Sequence, residues 1–337
     1  MTRRPTHRPT RHRRALAALA LTVATATVTA CGTGETVGSP AIEVKPPWPA
    51  GARVVTEPLD TPAEQNCEDP TAQSLPPAGA LPAPGDMPSG STMARIRAKG
   101  MLTVGVDQNT FNFGYREPDT GEIVGFDIDM ARAIANAIFG DPNKVRLRAI
   151  TSSQRIPVLE NGDVDIVIRT MSITCERLEK VDFSSVYYEA GQRVLVKKHS
   201  GHTGMESLGD KRVCAAEGST SLRNIAAAPS KPVPVQVQNW TDCLVLLQQH
   251  QVDAVSTDDT ILAGLVAQDP TTMVVGDPIY TEPYGMAIPK GESDFVRFVN
   301  GVIEQTRTSG AWVRSYDHWM KPLLDVPAQP PVARYRS

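Results

Sequence analysis

Long apolar runs are missing from this 337-residue chain: the candidate, "ALAALALTVATATVTA" at 15–30, offers 16 residues rich in alanine and threonine, where a membrane-spanning helix needs roughly 20 strongly apolar ones. Metal-ligand spacing is missing too. The five cysteines include no pair at zinc-binding distance, and the six histidines, His7, His12, His199, His202, His250 and His318, form no cluster, so neither a metal nor another cofactor is expected. No G-x-S-x-G motif is present, which removes one common nucleophilic hydrolase pattern. Acidic residues are absent from the first 14 positions. What remains is an ordinary globular composition, 41% hydrophobic and 21% charged, in a chain whose length suits two domains better than one.

The ends depart from the ordinary. Residues 1–14 carry six arginines and precede the apolar run, which stops at Cys31. A charged n-region, an apolar h-region and small residues before the cut predict a secretory signal peptide over 1–30. "VTAC" at 28–31 resembles a bacterial lipobox, although Thr29 fits it loosely; the resemblance implies that Cys31 is acylated and anchors the exported protein to the outer face of the cell membrane. Removing residues 1–30 leaves 28 basic residues against 37 acidic ones, a net charge of −9. A nucleic-acid partner is therefore not expected. Four cysteines remain in an oxidising compartment, Cys67, Cys175, Cys214 and Cys243, and they allow three disulfide connectivities.

From 31 to 91 the chain is rich in Pro, Gly, Thr and Ala, as in "SLPPAGALPAPGDMPSG", and reads as a surface tether that Cys67 pins at one point. Then apolar strands alternate with amphipathic helices: "LTVGV" (102–106), "DIDMARAIANAIF" (127–139), "VRLRAI" (145–150), "RIPVLENG" (155–162) and "VDIVI" (164–168). The rhythm restarts with "QRVLVKK" (192–198), "RVCAA" (212–216), "STSLRNIAAA" (219–228), "VPVQVQ" (233–238), "TDCLVLLQQ" (241–249) and "DAVST" (253–257). This alternation predicts an α/β fold with two largely parallel sheets. Helical patterns at 294–310 and 312–320 have no sheet of their own and are expected to return to the first lobe. The resulting partition is 92–187 plus 285–325 for lobe 1 and 192–280 for lobe 2, with crossings at 188–191 and 281–284.

Open α/β sheets bind ligands at the carboxyl ends of their strands, beside helix N-termini that attract anions. "RTMSITCERLEKVDFS" at 169–184 places Thr170, Ser172 and Arg177 at such a strand end. Hydroxyls and a guanidinium in that pattern suit a carboxylate; a surface arginine with helix-capping hydroxyls is the other reading of the same residues. "EGSTS" at 217–221 opens a helix in the second set, and "STDD" at 256–259 follows a buried strand.

In order along the chain, "GEIVGFDIDMARAIA", "RIPVLENGDVD", "SITCERLEKVDFSSVYYEAG", "GSTSL", "VDAVSTDDTILAG" and "YGMAIPKG" resemble the family 3 amino-acid-binding lipoproteins and periplasmic proteins that feed ABC importers. Glutamine/glutamate-binding lipoproteins and glutamate/aspartate binders look most similar. The resemblance implies a type II periplasmic-binding-protein fold: two lobes joined by two hinge strands, with the ligand cleft between them. It also implies roles. Arg177 forks onto the ligand α-carboxylate, a geometry lysine cannot copy. Ser172 donates to the same group, Thr170 accepts from the α-amino group, and Gly218, Ser219 and Thr220 complete the carboxylate cage. Asp258 pairs with the α-ammonium, and Asp259 caps the next helix. Lobes that move need bonds within each lobe, which favours Cys67–Cys175 and Cys214–Cys243.

Side-chain specificity is implied by "TSSQRIPVL", similar to the segment in glutamate/aspartate binders whose serine and arginine, here Ser152 and Arg155, grip the distal carboxylate. Charge supports an acidic ligand: Arg155 and Arg177 against Asp258 leave one positive charge, and a neutral ligand would leave Arg155 buried without a partner, at a cost of several kcal/mol. Asp107 stands where those binders carry a second arginine and is able to pair with Arg155, opening the site to asparagine or glutamine. Arg169, where many relatives have a small residue, pulls the other way. Gln108, Phe113 and Trp240 are expected to line the pocket, with core packing an equal reading for the two aromatics.

Two other functions compete. A dehydratase on the same fold would need a cleft acid, for which only Glu217 and Asp107 are candidates, so an enzyme is not expected. Presentation of the amino acid to a membrane sensor, instead of to an ABC permease and its ATPase, uses the same closed state; neighbouring genes would separate the two.

Overall fold

The computed structural model describes residues 47–59 and 67–336. The expected signal peptide, Cys31 and the tether up to residue 46 lie outside the described residues.

The first lobe is built on a five-stranded sheet of order β6-β2-β7-β14-β8. Its strands are β2 (Leu102–Val106), β6 (Val145–Ala149), β7 (Ile166–Val167), β8 (Val181–Phe183) and β14 (Ala287–Pro289). β2 runs parallel to β6 and β7, whereas β14 pairs antiparallel with β7 and β8. A small antiparallel sheet of β3 (Asn109–Thr110), β4 (Gly114–Arg116) and β5 (Ile123–Val124) leads into helix α2 (Phe126–Phe139). Gly125 precedes that helix at φ 130°, and a Cβ there would lie 2.3 Å from the Phe113 carbonyl oxygen, so only glycine fits.

The second lobe has a six-stranded sheet of order β1-β11-β10-β12-β9-β13. It contains β1 (Arg53–Val54), β9 (Tyr188–Lys197), β10 (Arg212–Ala216), β11 (Val233–Val237), β12 (Ala254–Asp258) and β13 (Thr272–Tyr284). β10 is parallel to β11 and β12; β1, β9 and β13 are antiparallel additions. Every residue of β12 is buried, as expected of a strand covered on both faces.

Further helices include α1 (Thr92–Ala98), α3 (Arg155–Glu160), α4 (Cys175–Lys180), α5 (Thr220–Ala227), α6 (Trp240–Gln248), α7 (Asp259–Gln268), α8 (Ser293–Thr308) and α9 (Ala311–Trp319). The last two do return to the first lobe. Phe295, Val299, Val302 and Ile303 of α8 and Trp312 and Tyr316 of α9 lie at helical spacing and join its core. Each such burial contributes roughly 1.5–3 kcal/mol.

β9 and β13 connect the lobes. They pair from Tyr188↔Tyr284 through Thr281↔Gly191, with a register shift between Val275 and Tyr280. Tyr188, Ala190 and Tyr284 belong to the first core, while Val194, Leu195 and Val196 of the same β9 belong to the second. One strand thus leaves one core and enters the other without a break.

The segment read as a tether is packed over much of its described length. β1 pairs with β11, matching Arg53 with Gln236 and Val54 with Val235, and Trp48, Ala52 and Val54 pack on the second lobe. Leu75, Leu81 and Met87 instead join the core of the first lobe, and the Ser74 hydroxyl donates 2.8 Å to the Phe183 carbonyl. Apolar side chains scattered among prolines give no periodicity, which is why composition alone read this stretch as solvated. Cys67 pairs with Cys175 and Cys214 with Cys243, the connectivity expected above.

Candidate functional site

Helix α4 and the turn before it carry the opening motif. Thr174 caps α4 by accepting from the Arg177 N–H, and Thr170 sits at φ 37°, in the left-handed region. The Thr170 N–H donates 3.2 Å to Asp127 Oδ2, and the Tyr187 hydroxyl donates 2.7 Å to Asp127 Oδ1. Burial pushes the Asp127 carboxyl up to about 7, against the lowering effect of these two donors.

Two arginines of the first lobe reach the second. Arg155 donates from Nε to the Ser152 carbonyl (2.9 Å), from Nη1 to those of Arg169 (3.3 Å) and Thr170 (3.2 Å), and from Nη2 to that of Gly218 (3.1 Å). Arg177 donates to the Ser172 carbonyl (2.6 Å) and, at 3.1 Å, to the same Gly218 oxygen. Gly218 has φ 74°, and a Cβ on it would lie 2.9 Å from Ser153 Cα, so the close approach of the lobes here requires glycine. Burial, and then the charge of Arg177, lowers Arg155; burial, and then Arg223, brings Arg177 down to about 10. A cavity of about 310 Å³ opens beside them, with Ser152, Arg155, Arg177, Gly218 and Arg223 in its wall.

The second lobe and the connecting strand β13 supply the acceptors. Asp258, buried at the end of β12, takes the Tyr284 hydroxyl on Oδ2, while its Oδ1 has no hydrogen-bond partner among the described residues. Burial, and then the charge of Glu282, raises its pKa. Glu282 itself, buried on β13, accepts from the hydroxyls of Ser172 in the first lobe and Thr220 in the second, the latter at 2.9 Å. Lobe contacts also include Asn109 Nδ2 to Asn239 Oδ1 at 3.1 Å and the Arg223–Glu176 ion pair at 2.6 Å.

Several expectations change. Asp107 pairs with Arg169, at 2.9 Å, and not with Arg155: the two stand at the ends of adjacent parallel strands, whereas Arg155 lies on α3 and spends its donors on carbonyls. Arg169 also binds the Ser152 hydroxyl at 2.6 Å, so Ser152 serves Arg169 and Arg155 together. Ser219 caps α5, accepting from Leu222 N–H at 3.1 Å and donating to the Ala216 carbonyl at 2.7 Å. Asp258 stands at the N-cap of α7 without a side-chain cap bond, and Asp259 is its first residue, accepting from the Thr260 N–H at 2.8 Å. Gln108 turns to Arg116 Nε at 3.0 Å. Phe113 is enclosed by the rings of Phe126, Tyr188 and Tyr284, and Trp240 is buried in the second core. Glu217 accepts from Gln236 at 2.9 Å.

Sequence reasoning missed Asp127 and Glu282. Asp127 went unremarked as the first residue of the helical segment 127–139. Glu282 lay in "YTEPYG", read as a connector; its signal was an acid in a strand flanked by Tyr280 and Tyr284.

Two α/β lobes joined by paired strands, meeting over a buried set of guanidiniums, carboxylates and hydroxyls, define a two-lobed binding protein of the type II periplasmic class. The chain belongs to the bacterial extracellular solute-binding proteins, family 3, whose pattern it matches over residues 102–322. It is 39% identical to the ABC transporter glutamine-binding protein GlnH of Bacillus subtilis over 231 residues, covering 68% of this chain and 85% of that one. With the L-glutamate/L-aspartate-binding protein of Pseudomonas aeruginosa it shares 30% identity over 239 residues, 68% of this chain and 79% of the other. Its fold matches the solute receptor for L-cysteine of Neisseria gonorrhoeae with a TM-score of 0.66 and 26% identity, over 69% of this chain and 95% of that one. These family members are binding proteins, not enzymes. Among the described residues no helix is long and apolar enough to cross a membrane.

Proposed function

We propose that the chain captures an amino acid of the glutamate, aspartate, glutamine and asparagine group between its lobes and delivers it to an ABC permease with its ATPase. One observation carries the reading: Arg155 and Arg177 of the first lobe converge on Gly218 of the second, while the buried Asp258 keeps an oxygen with no hydrogen-bond partner among the described residues. Guanidiniums suit the carboxylates of such a ligand, and that oxygen suits its ammonium. Ser172, Thr170, Gly218 and Thr220 complete the grip on the main-chain groups, Ser152 and Arg155 face the distal group, and residues 188–191 and 281–284 act as hinges. Calorimetric titration of the protein lacking residues 1–30 with all the common amino acids tests this: binding is expected within the named group, and no heat with any of them rejects it.

Ligand that bridges Arg177 and Asp258 favours the closed arrangement through its differential affinity for it. Solution scattering is expected to show a smaller radius at saturation than without ligand. An unchanged profile counts against hinge closure.

The lipid anchor belongs to the same proposal. Export and acylation at Cys31 hold the binding lobes at the outer face of the membrane, and a single substitution separates anchoring from export: Cys31→Ser is expected to move the protein from the membrane fraction to the medium. Retention in the membrane fraction would mean that something other than this cysteine holds it.

A further inference from the structure

The buried charges of the cleft form two sets. Asp107 and Arg169 cancel as an ion pair at 2.9 Å, and Asp127 lies behind Thr170, occupied by Tyr187. That leaves Arg155 and Arg177 facing Asp258 and Glu282. With both acids ionised the set is neutral and suits a ligand of no net charge. An acidic amino acid would then bring an uncompensated negative charge into a desolvated cleft, at a cost that favours protonation of a neighbouring acid.

Glu282 is the acid equipped to take that proton. Its donors are the hydroxyls of Ser172 and Thr220, and a hydroxyl that donates to a carboxylate is able to turn and accept from a carboxylic acid. Turning also frees that hydroxyl's hydrogen for a ligand carboxylate. Asp258, by contrast, holds the Tyr284 hydroxyl and is kept ionised by a ligand ammonium. Burial already raises Glu282, against the lowering effect of Ser172, Thr220, Arg177 and Arg155. The other charged or titratable groups around the pair are Asp259 and Tyr284 beside Asp258, and Arg223 and Glu176 beside Arg177.

We propose that Glu282 sets the choice between an acidic amino acid and its amide, carrying one more proton when the acid is bound than when the amide is. The inference rests on the amino-acid reading above and adds to it the residue that counts charge. Any proton change at Asp258 caused by the ammonium is common to both ligands, so the comparison between them isolates Glu282.

The test titrates glutamate and glutamine into the full mature chain from pH 6 to pH 8, where both ligands keep constant charge, in buffers of different ionisation enthalpy. In the wild type, the ratio Kd(glutamate)/Kd(glutamine) is expected to rise about tenfold per pH unit, the slope of one linked proton. In Glu282→Gln, a permanent neutral stand-in, the ratio is expected to be flat and at least about tenfold lower at pH 8 than in the wild type. A flat ratio in the wild type, or the same slope in Glu282→Gln, overturns the assignment; the second result places the proton on Asp127 or Asp258. Should Glu282→Gln not fold, the wild-type slope and its calorimetric proton count still test the proposal, since equal counts for the two ligands overturn it. No heat with any amino acid at any pH would instead remove the binding reading itself, and this inference with it.

Discussion

Arg177→Ala is expected to weaken every amino acid that the protein binds, by about 2–5 kcal/mol, because truncating one partner of a buried charge pair leaves the other unpaired. All candidate ligands share the α-carboxylate, so the loss is expected to be uniform across the panel. Arg155→Ala carries a different signature. If Arg155 faces the distal group, glutamate and aspartate lose more than glutamine and asparagine do. The structure sharpens the alternative: Arg155 is already bound to four carbonyls, those of Ser152, Arg169, Thr170 and Gly218. An equal loss for acid and amide in a folded protein would make it a scaffold for the loops around it. Calorimetry on both variants, with circular dichroism to confirm folding, reads the two patterns.

The second large effect is on stability. The Cys67–Cys175 bridge closes a sequence separation of 108 residues and the Cys214–Cys243 bridge one of 29. In the chain-entropy account their loss costs about 4.7 and about 3.6 kcal/mol respectively, with measured values for native disulfides usually about 2–5. Cys67→Ser and Cys214→Ser are therefore both expected to lower Tm by several degrees, the first by more. The first bridge also ties the N-terminal extension to α4, two residues from Arg177. Thermal unfolding of the single variants checks the order. A Cys67→Ser protein as stable as the wild type would show that the packing of Leu75, Leu81 and Met87 holds the extension by itself.

Much of this protein is local in its sequence. Strand and helix periods alternate from residue 102 onward, and a period of buried side chains needs no distant partner to be visible. The helix starts at Ser219 and Thr174 follow from one capping side chain each. The arginine, the hydroxyls and Asp258 stand where strands end, so their approach to one cleft follows once the order of elements is known. The expectation of a signal peptide rests on arginines and a short apolar run alone.

Tertiary structure decided whatever depends on which chain segments meet. Asp107 had two arginines within reach of its strand end, and only the parallel pairing of β2 with β7 selects Arg169 over Arg155. The proline-rich extension shows no period, and its docking on both sheets becomes visible only when Val54 finds Val235 and Leu81 finds the first core. Glu282 is the strongest case. In the sequence it is one acid in a connector, because nothing local to "YTEPYG" reports that β13 carries it between Ser172 of one lobe and Thr220 of the other. Charge acts through space and burial, and both are properties of the assembled cleft, not of any stretch of the chain.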